Sequence, residues 1–151
     1  MSERQSSESL IADNKVNIHE FAEVSPKAEL GRGVCVGSGS VIGPDVIVGP
    51  NTWIGPNVII EGKVKIGSNN KIFPGACIGL EPQDLKYGGD STDVLIGDNN
   101  TFRECVTINR ATFRGEKTMV GNQNLLMAYS HLGHNCDIGN NVVIANGVQI
   151  A

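Results

Sequence analysis

Every sixth residue of this chain, counted from Ile18, is aliphatic: Ile18, Val24, Leu30, Val36, Ile42, Val48, Ile54, Ile60, Ile66, Ile72 and Ile78. Seven of these are followed directly by glycine, at positions 31, 37, 43, 49, 55, 67 and 79. The residue two before each is small or β-branched at most steps, as in Ala22, Ala28, Val34, Ser40, Val46, Thr52, Val58, Val64 and Ala76. A helical stripe recurs at three and four residues, and an amphipathic strand alternates at two. A period of six is a multiple of two, so each step reads as a short strand with two inward residues and then a corner. The corner glycines are expected to supply a positive φ or a close backbone approach. Asn57, Asn69, Asn99, Asn122 and Asn140 are expected to take the left-handed conformation at similar corners. Three such steps close a prism, and each turn buries its inner face only against the turns on either side. A strand sandwich would need irregular loops and hairpin signals. The single Asn-Gly pair, Asn146-Gly147, falls in phase with the repeat.

The series resumes in the same register as Ile96, Phe102, Ile108, Val120, Leu126, Leu132, Ile138, Ile144 and Ile150. It lapses at positions 84, 90 and 114, which are Asp84, Asp90 and Arg114. Burying unpaired charge in an aliphatic stack is too costly. The segments Leu80–Thr92 and Asn109–Lys117 are therefore expected to leave the stack as two protruding loops. The first gathers Gln83, Asp84, Lys86 and Tyr87. The second brings Arg110, Arg114 and Lys117, which could form a local basic cluster for a phosphate, or be scattered solvated charge.

A third feature lies inside the repeat. His131 and His134 flank the inward Leu132, so His131 points outward and His134 falls at a corner. A neutral imidazole can take a proton near neutral pH; on spacing alone a pair of ordinary surface histidines is the competing reading. The chain has three histidines, and His19 lies about six coils away, so a three-histidine metal site within one chain is not expected.

Composition narrows the classes further. The net charge of −4 argues against nucleic acid as a partner. Cys35, Cys77, Cys105 and Cys136 form no CxxC and read as reduced core or near-core residues. Residues 1–15, MSERQSSESLIADNK, read as a flexible polar tail without the apolar stretch of a signal peptide. No run reaches the length of a membrane span, and a cytoplasmic location is expected.

Three segments, IGLEPQDLKYGG, RECVTINRAT and NLLMAYSHLGHNCDIGN, resemble the hexapeptide-repeat acyltransferases. Within them the likeness is to the acyl-carrier-protein-dependent UDP-N-acetylglucosamine O-acyltransferases of lipid A synthesis. The related N-acyltransferases of that pathway are less similar, for want of the QDLKY loop. The resemblance implies an all-β fold, a left-handed parallel β-helix of about seven coils spanning residues 16–151, and a homotrimer with sites between subunits. It implies transfer of a 3-hydroxyacyl chain from acyl carrier protein to the 3-hydroxyl of UDP-N-acetylglucosamine, with no metal and no cofactor. His134 matches the general base and His131 a substrate-contacting histidine. Gln83, Asp84 and Lys86 match loop residues that touch the sugar nucleotide and acyl donor. Asn135 stands where the family often has an orienting aspartate, and Asn109 where some members have another histidine. The family continues with Gly-His after the position of Ala151, then with further coils and a helical domain. The chain is therefore expected to be an N-terminal part, incomplete at its C-terminus. The alternatives are a non-catalytic β-helix that is structural or binds a sugar nucleotide, and an acyltransferase for a different nucleotide sugar.

Overall fold

The computed structural model describes residues 14–151; most of the expected tail, residues 1–13, lies outside the described residues. The described strands are short and come in threes. The first coil holds β1 (Asn17–Ile18), β2 (Glu23–Val24) and β3 (Glu29–Leu30), and the second β4 (Cys35–Val36), β5 (Val41–Ile42) and β6 (Val46–Val48). The third holds β7 (Trp53–Ile54), β8 (Ile59–Ile60) and β9 (Lys63–Ile66), and the fourth β10 (Lys71–Ile72), β11 (Cys77–Leu80) and β12 (Asp93–Ile96). The fifth holds β13 (Thr101–Phe102), β14 (Thr107–Asn109) and β15 (Lys117–Val120), and the sixth β16 (Leu125–Leu126), β17 (His131–Leu132) and β18 (Asp137–Ile138). A seventh begins with β19 (Val143–Ile144) and β20 (Gln149–Ile150). Every third strand pairs in parallel, which gives three flat faces: β1-β4-β7-β10-β13-β16-β19, β2-β5-β8-β11-β14-β17-β20, and β3-β6-β9-β12-β15-β18. The chain is a left-handed parallel β-helix.

The sixth-residue series is the core. Ile54, Ile60, Ile72, Ile78, Ile108, Leu126 and Leu132 are fully buried, stacked coil on coil. Ile18 at the start of the stack is 44% exposed, because nothing described covers it on one side. The i−2 positions of the series from Val34 to Cys136 are buried as well, and three of them are asparagines that the pattern of small residues does not anticipate. Asn70, Asn100 and Asn124 form an internal ladder. Asn70 Oδ1 accepts the Asn100 N–H at 2.9 Å, and Asn100 Oδ1 accepts the Asn124 N–H at 2.9 Å. Their Nδ2 groups donate to the carbonyls of Gly97, Gly121 and Gly139. Buried polar groups are tolerated here because every one is paired.

The corner glycines act by close packing. A Cβ on Gly49 would lie 2.5 Å from the carbonyl carbon of Gly67, one coil on. Among the seven glycines that follow an aliphatic, only Gly79 has a positive φ. Most left-handed residues sit three positions before the inward residue of the series instead, among them Gly39, Asn51, Asn57, Asn69, Asn99, Tyr129, Asn135 and Asn141. Asn57, Asn69 and Asn99 are as expected, but Asn122 and Asn140 are not left-handed; Gln123 and Asn141 take that place. Asn122 and Asn140 instead accept backbone N–H groups of the preceding coil, those of Asp98 and Asn122.

Both expected loops leave the stack. Ile60 pairs with Ile78, three hexads on, whereas Ile78 pairs with Ile108, five hexads on, and Ile108 with Leu132, four hexads on. The first insertion therefore adds two whole hexads and the second adds one, so the inward register survives. All four cysteines are free; Cys35 and Cys136 are buried and the other two half-buried.

Candidate functional site

The first insertion joins β11 to β12, the second joins β14 to β15, and Gly133–Cys136 joins β17 to β18. These are the same corner of the prism, between the second and third faces, on three consecutive coils. The three features read separately from the sequence thus converge at one place.

The two loops hold each other. Thr112 Oγ1 donates to Asp84 Oδ2 at 3.1 Å, and the Arg114 N–H donates to Asp90 Oδ2 at 3.2 Å. Arg110 is the main bolt. Its guanidinium donates to the Gly79 carbonyl at 3.1 Å, to the Tyr87 hydroxyl at 2.8 Å and to Glu81 Oε1 at 3.2 Å, and it lies over the Tyr87 ring. Tyr87 in turn donates to the Asp90 carbonyl. Arg110, Arg114 and Lys117 therefore do not make a phosphate cluster. Arg110 is 17% exposed and spends its donors on β11 and loop one, and Arg114 projects into solvent with its guanidinium 3.9 Å from Asp90.

His134 stands where the loops meet. Its Nδ1 is 2.9 Å from Asn135 Oδ1, and its Nε2 is 3.8 Å from Asp84 Oδ2. The ring is therefore fixed at one nitrogen and presents the other to the carboxylate of loop one. Asp84 has its pKa below the ordinary carboxylate value. The Lys86 backbone N–H, donated to its carboxylate, is the main cause; burial opposes, and the Thr112 hydroxyl and the charges of His134 and Lys86 add to the lowering. Asp84 is thus an anion at neutral pH. Gln83 and Lys86, on either side of it, are exposed.

His131 lies on the outer surface of β17, the strand that leads into this corner. Its Nδ1 is 2.7 Å from the Thr107 hydroxyl, and burial pushes its pKa below the usual imidazole value. Asn109 is buried under loop one. Its Nδ2 donates to the Glu81 carbonyl at 2.9 Å, and its Oδ1 has no hydrogen-bond partner among the described residues. Asn135 lies at the corner with φ 63°, held by its N–H to Thr118 Oγ1.

Four residues of this arrangement escaped the sequence reading: Thr107, Thr112, Glu116 and Thr118. Thr107 was within reach, being the register partner of His131. Thr118 occupies an i−2 slot. Thr112 and Glu116 lie inside the second insertion, where no period says which way a side chain points. Among the described residues no group of three or more His, Cys, Asp or Glu is placed to hold a metal ion, and no helix is long and apolar enough to cross a membrane.

The chain matches the family described as "Bacterial transferase hexapeptide (six repeats)" over residues 45–79 and 117–151, the stretches that flank the two insertions. It is similar to the acyl-[acyl-carrier-protein]–UDP-N-acetylglucosamine O-acyltransferase of Thermodesulfovibrio yellowstonii, 47% identical over 135 residues, covering 89% of this chain and 52% of the relative. The protein of the same name from Helicobacter pylori strain Shi470 is 56% identical over 135 residues, covering 89% and 50%. Among solved structures, a UDP-N-acetylglucosamine acyltransferase superposes with a TM-score of 0.85 at 43% identity, covering 88% of this chain and 52% of that one. The enzyme from Acinetobacter baumannii superposes equally well at 38% identity, covering 87% and 52%. The chain spans about half the length of these relatives. The hexad repeat, the two insertions at one corner and the identity across both make the chain similar to the bacterial hexapeptide-repeat transferases and, among them, to the UDP-N-acetylglucosamine O-acyltransferases.

Proposed function

We propose that this chain takes part in transfer of a 3-hydroxyacyl group from acyl carrier protein to the 3-hydroxyl of UDP-N-acetylglucosamine, the first step of lipid A synthesis. One observation carries the reading: His134 is held at Nδ1 by Asn135 and presents Nε2 beside Asp84, at the only corner where both insertions protrude among the described residues. The names of the similar proteins supply the substrates.

In this reading His134 Nε2 removes the proton of the sugar hydroxyl as its oxygen attacks the thioester carbonyl. The C–S bond then breaks, and the proton passes to the departing thiolate. The products are an ester and the free thiol of the carrier. No covalent enzyme intermediate is needed; positioning and a base of suitable pKa suffice. Asp84, anionic and 3.8 Å away, stabilises the imidazolium that forms. Gln83 and Lys86 flank it with an amide and a cation for the sugar nucleotide and the acyl donor. His131, uncharged near neutral pH, offers its ring to the substrate as a neutral hydrogen-bonding group. Asn109 Oδ1 is a free acceptor beneath the loop.

A homotrimer and a cytoplasmic location belong to the same reading. The third face supports the trimer. Ile47, Lys65, Leu95 and Met119 form one outward column across β6, β9, β12 and β15, with Ile47 39% and Met119 36% exposed. That column adjoins the loops and suits packing against a second copy.

The test is to incubate the chain with UDP-N-acetylglucosamine and a 3-hydroxyacyl carrier protein and follow the free thiol. Transfer is expected, and His134→Ala should lower it by about 100- to 10,000-fold, the range for a general base. Transfer that His134→Ala leaves unchanged overturns the mechanism. Binding of the sugar nucleotide without turnover assigns the chain to capture of the acceptor alone.

A further inference from the structure

The side chain that orients His134 is an amide, and an amide has two ends. A carboxylate at position 135 would accept from His134 Nδ1–H whichever oxygen it presented. Asn135 can present either Oδ1, which accepts, or Nδ2, which donates. The two choices put the His134 proton on opposite nitrogens. If Oδ1 faces the ring, Nδ1 must carry the proton and Nε2 is the free base. If Nδ2 faces the ring, Nδ1 must be the acceptor, the proton sits on Nε2, and the nitrogen facing Asp84 can no longer take one.

The surroundings of Asn135 decide between them. On one side, Nδ2 lies 2.7 Å from Glu116 Oε2. On the other, Oδ1 lies 3.2 Å from the backbone nitrogen of Thr112 as well as 2.9 Å from His134 Nδ1. Glu116 as a carboxylate only accepts, and the Thr112 N–H only donates. Turning the amide over would set two acceptors against each other at Glu116 and two donors against each other at Thr112. Glu116 is itself fixed, since the same Oε2 accepts the Phe113 N–H at 3.1 Å. The charged groups that face His134 and its amide are thus Asp84 on the Nε2 side and Glu116 behind Asn135.

We infer that Glu116 is a positioning residue for His134: through Asn135 it fixes which ring nitrogen carries the proton, so that Nε2 is the base beside Asp84. Glu116 sits half-buried on the second loop, outside the stack, and touches no reacting atom in this arrangement. The Asn135–Glu116 pair does in two residues what a single aspartate would do in one. The tautomer rests on geometry alone; its value to the reaction rests on the acyl-transfer reading.

Nitrogen-15 labelling of the histidines gives a direct readout. At a pH where the rings are neutral, two-bond nitrogen–proton correlations tell an Nδ1–H ring from an Nε2–H ring. The chain has three histidines, and His134→Gln identifies the signal. The wild type should carry the proton on Nδ1. Glu116→Gln should keep it there, because the Gln carbonyl oxygen can accept from both Phe113 and Asn135. Glu116→Ala should shift the population toward Nε2–H, and Glu116→Lys, a donor, should shift it further. Asn135→Asp added to Glu116→Ala should restore Nδ1–H. An Nε2–H wild type, a tautomer that neither Glu116→Ala nor Glu116→Lys moves, or a double variant that fails to restore it would each overturn the inference. In the transfer assay, Glu116→Ala should lower kcat about tenfold with KM unchanged, the mark of an interaction made in the transition state, while Glu116→Gln stays near wild type. An inactive chain with the expected tautomers counts against the acyl-transfer reading alone, and an active chain with unmoved tautomers counts against the positioning role alone.

Discussion

Between the third and first faces, the prism turns on side chains that repeat from coil to coil. The Ser68 N–H donates to Asp98 Oδ1, the Asp98 N–H to Asn122 Oδ1, and the Asn122 N–H to Asn140 Oδ1, at 2.6–2.7 Å. Just inside, the Asn70, Asn100 and Asn124 ladder runs parallel to this one. Between the second and third faces, the same coils carry the two insertions and His134. The residue types are alike at the two corners: carboxylates, amides and hydroxyls. At the repeating corner these groups pair with the equivalent positions one coil away. At the other corner the insertions offset the coils, so the polar groups meet unlike partners: Asp84 meets Thr112 and His134, and Asn135 meets Glu116. Strict repetition pairs these polar groups with one another from coil to coil. Insertion breaks that pairing and frees a base and an anion.

The comparison is broken most severely by cutting the repeating corner. Asn100→Ala leaves the buried Asn124 N–H and the Gly121 carbonyl without partners. Buried unsatisfied groups cost about 1–3 kcal/mol each, so a loss on the order of 3 kcal/mol is expected in urea unfolding. Because neighbouring coils share the ladder, the loss should appear as one global transition at lower denaturant. A loss under about 0.5 kcal/mol, no more than an ordinary surface substitution costs, would show that the ladder is not what closes this corner.

The glycines draw the same contrast at smaller scale. Gly49→Ala forces a methyl against the Gly67 backbone at 2.5 Å, which the next coil cannot yield. Overpacking of this kind costs about 1–3 kcal/mol. Gly88 on the first loop has nothing within 4 Å of an added Cβ and no positive φ. Gly88→Ala should therefore stay within about 0.5 kcal/mol of wild type, as surface changes do. Thermal melts of the two variants side by side make the measurement.

The stack and the two loops were legible in the sequence for one reason: period six is unforgiving. An aliphatic slot held by Asp84, Asp90 or Arg114 can only be a departure. Because the departures measure two hexads and one, the count of six runs on unbroken past Thr92 and Lys117. The convergence at one corner was equally present, since Ile78, Ile108 and Leu132 stack once the insertions are subtracted. What the sequence hid lies inside the insertions. In the sequence Arg110 groups with Arg114 and Lys117, but it turns back under loop one because Gly79, Glu81 and Tyr87 lie within its reach there. The part of Glu116 was hidden for the same reason. The left-handed positions were misplaced by one residue at Asn122 and Asn140, because two amides are adjacent at 140–141 and a glutamine follows Asn122. Local preference alone does not choose between neighbours.

Acidification tests the inserted corner by itself. The lowered pKa of Asp84 means that the unfolded chain binds its proton first as pH falls. The stability Asp84 contributes is then full above the ordinary carboxylate pKa and is lost as pH drops through its lower folded value. His131 acts in the same direction at higher pH. Burial lowers its pKa, so stability declines as pH falls below the usual imidazole value. Asp84→Asn should flatten the acid limb of a stability–pH curve, and His131→Gln the limb nearer neutrality. Both limbs surviving in both variants would show that the repeating corner, not the inserted one, carries the pH dependence.

The smallest expected effect separates the two arginines of the second loop. Arg114 is 87% exposed and its guanidinium stands 3.9 Å from Asp90, so Arg114→Ala should change stability by no more than about 0.5 kcal/mol. Arg110 is 17% exposed, and its donors satisfy the Gly79 carbonyl at the end of β11 and a hydroxyl and a carboxylate of the first loop. Hydrogen bonds to a charged group contribute about 1.5–3 kcal/mol, but most of that energy joins the two loops, and only the bond to Gly79 reaches a coil. Arg110→Ala should therefore leave the global unfolding midpoint nearly in place and raise amide exchange across residues 81–91, the local opening expected where few buried contacts hold a segment. If Arg110→Ala lowers the global midpoint as far as Asn100→Ala does, the inserted corner is part of the cooperative stack. The division between a corner that holds the coil and a corner that holds the site then fails.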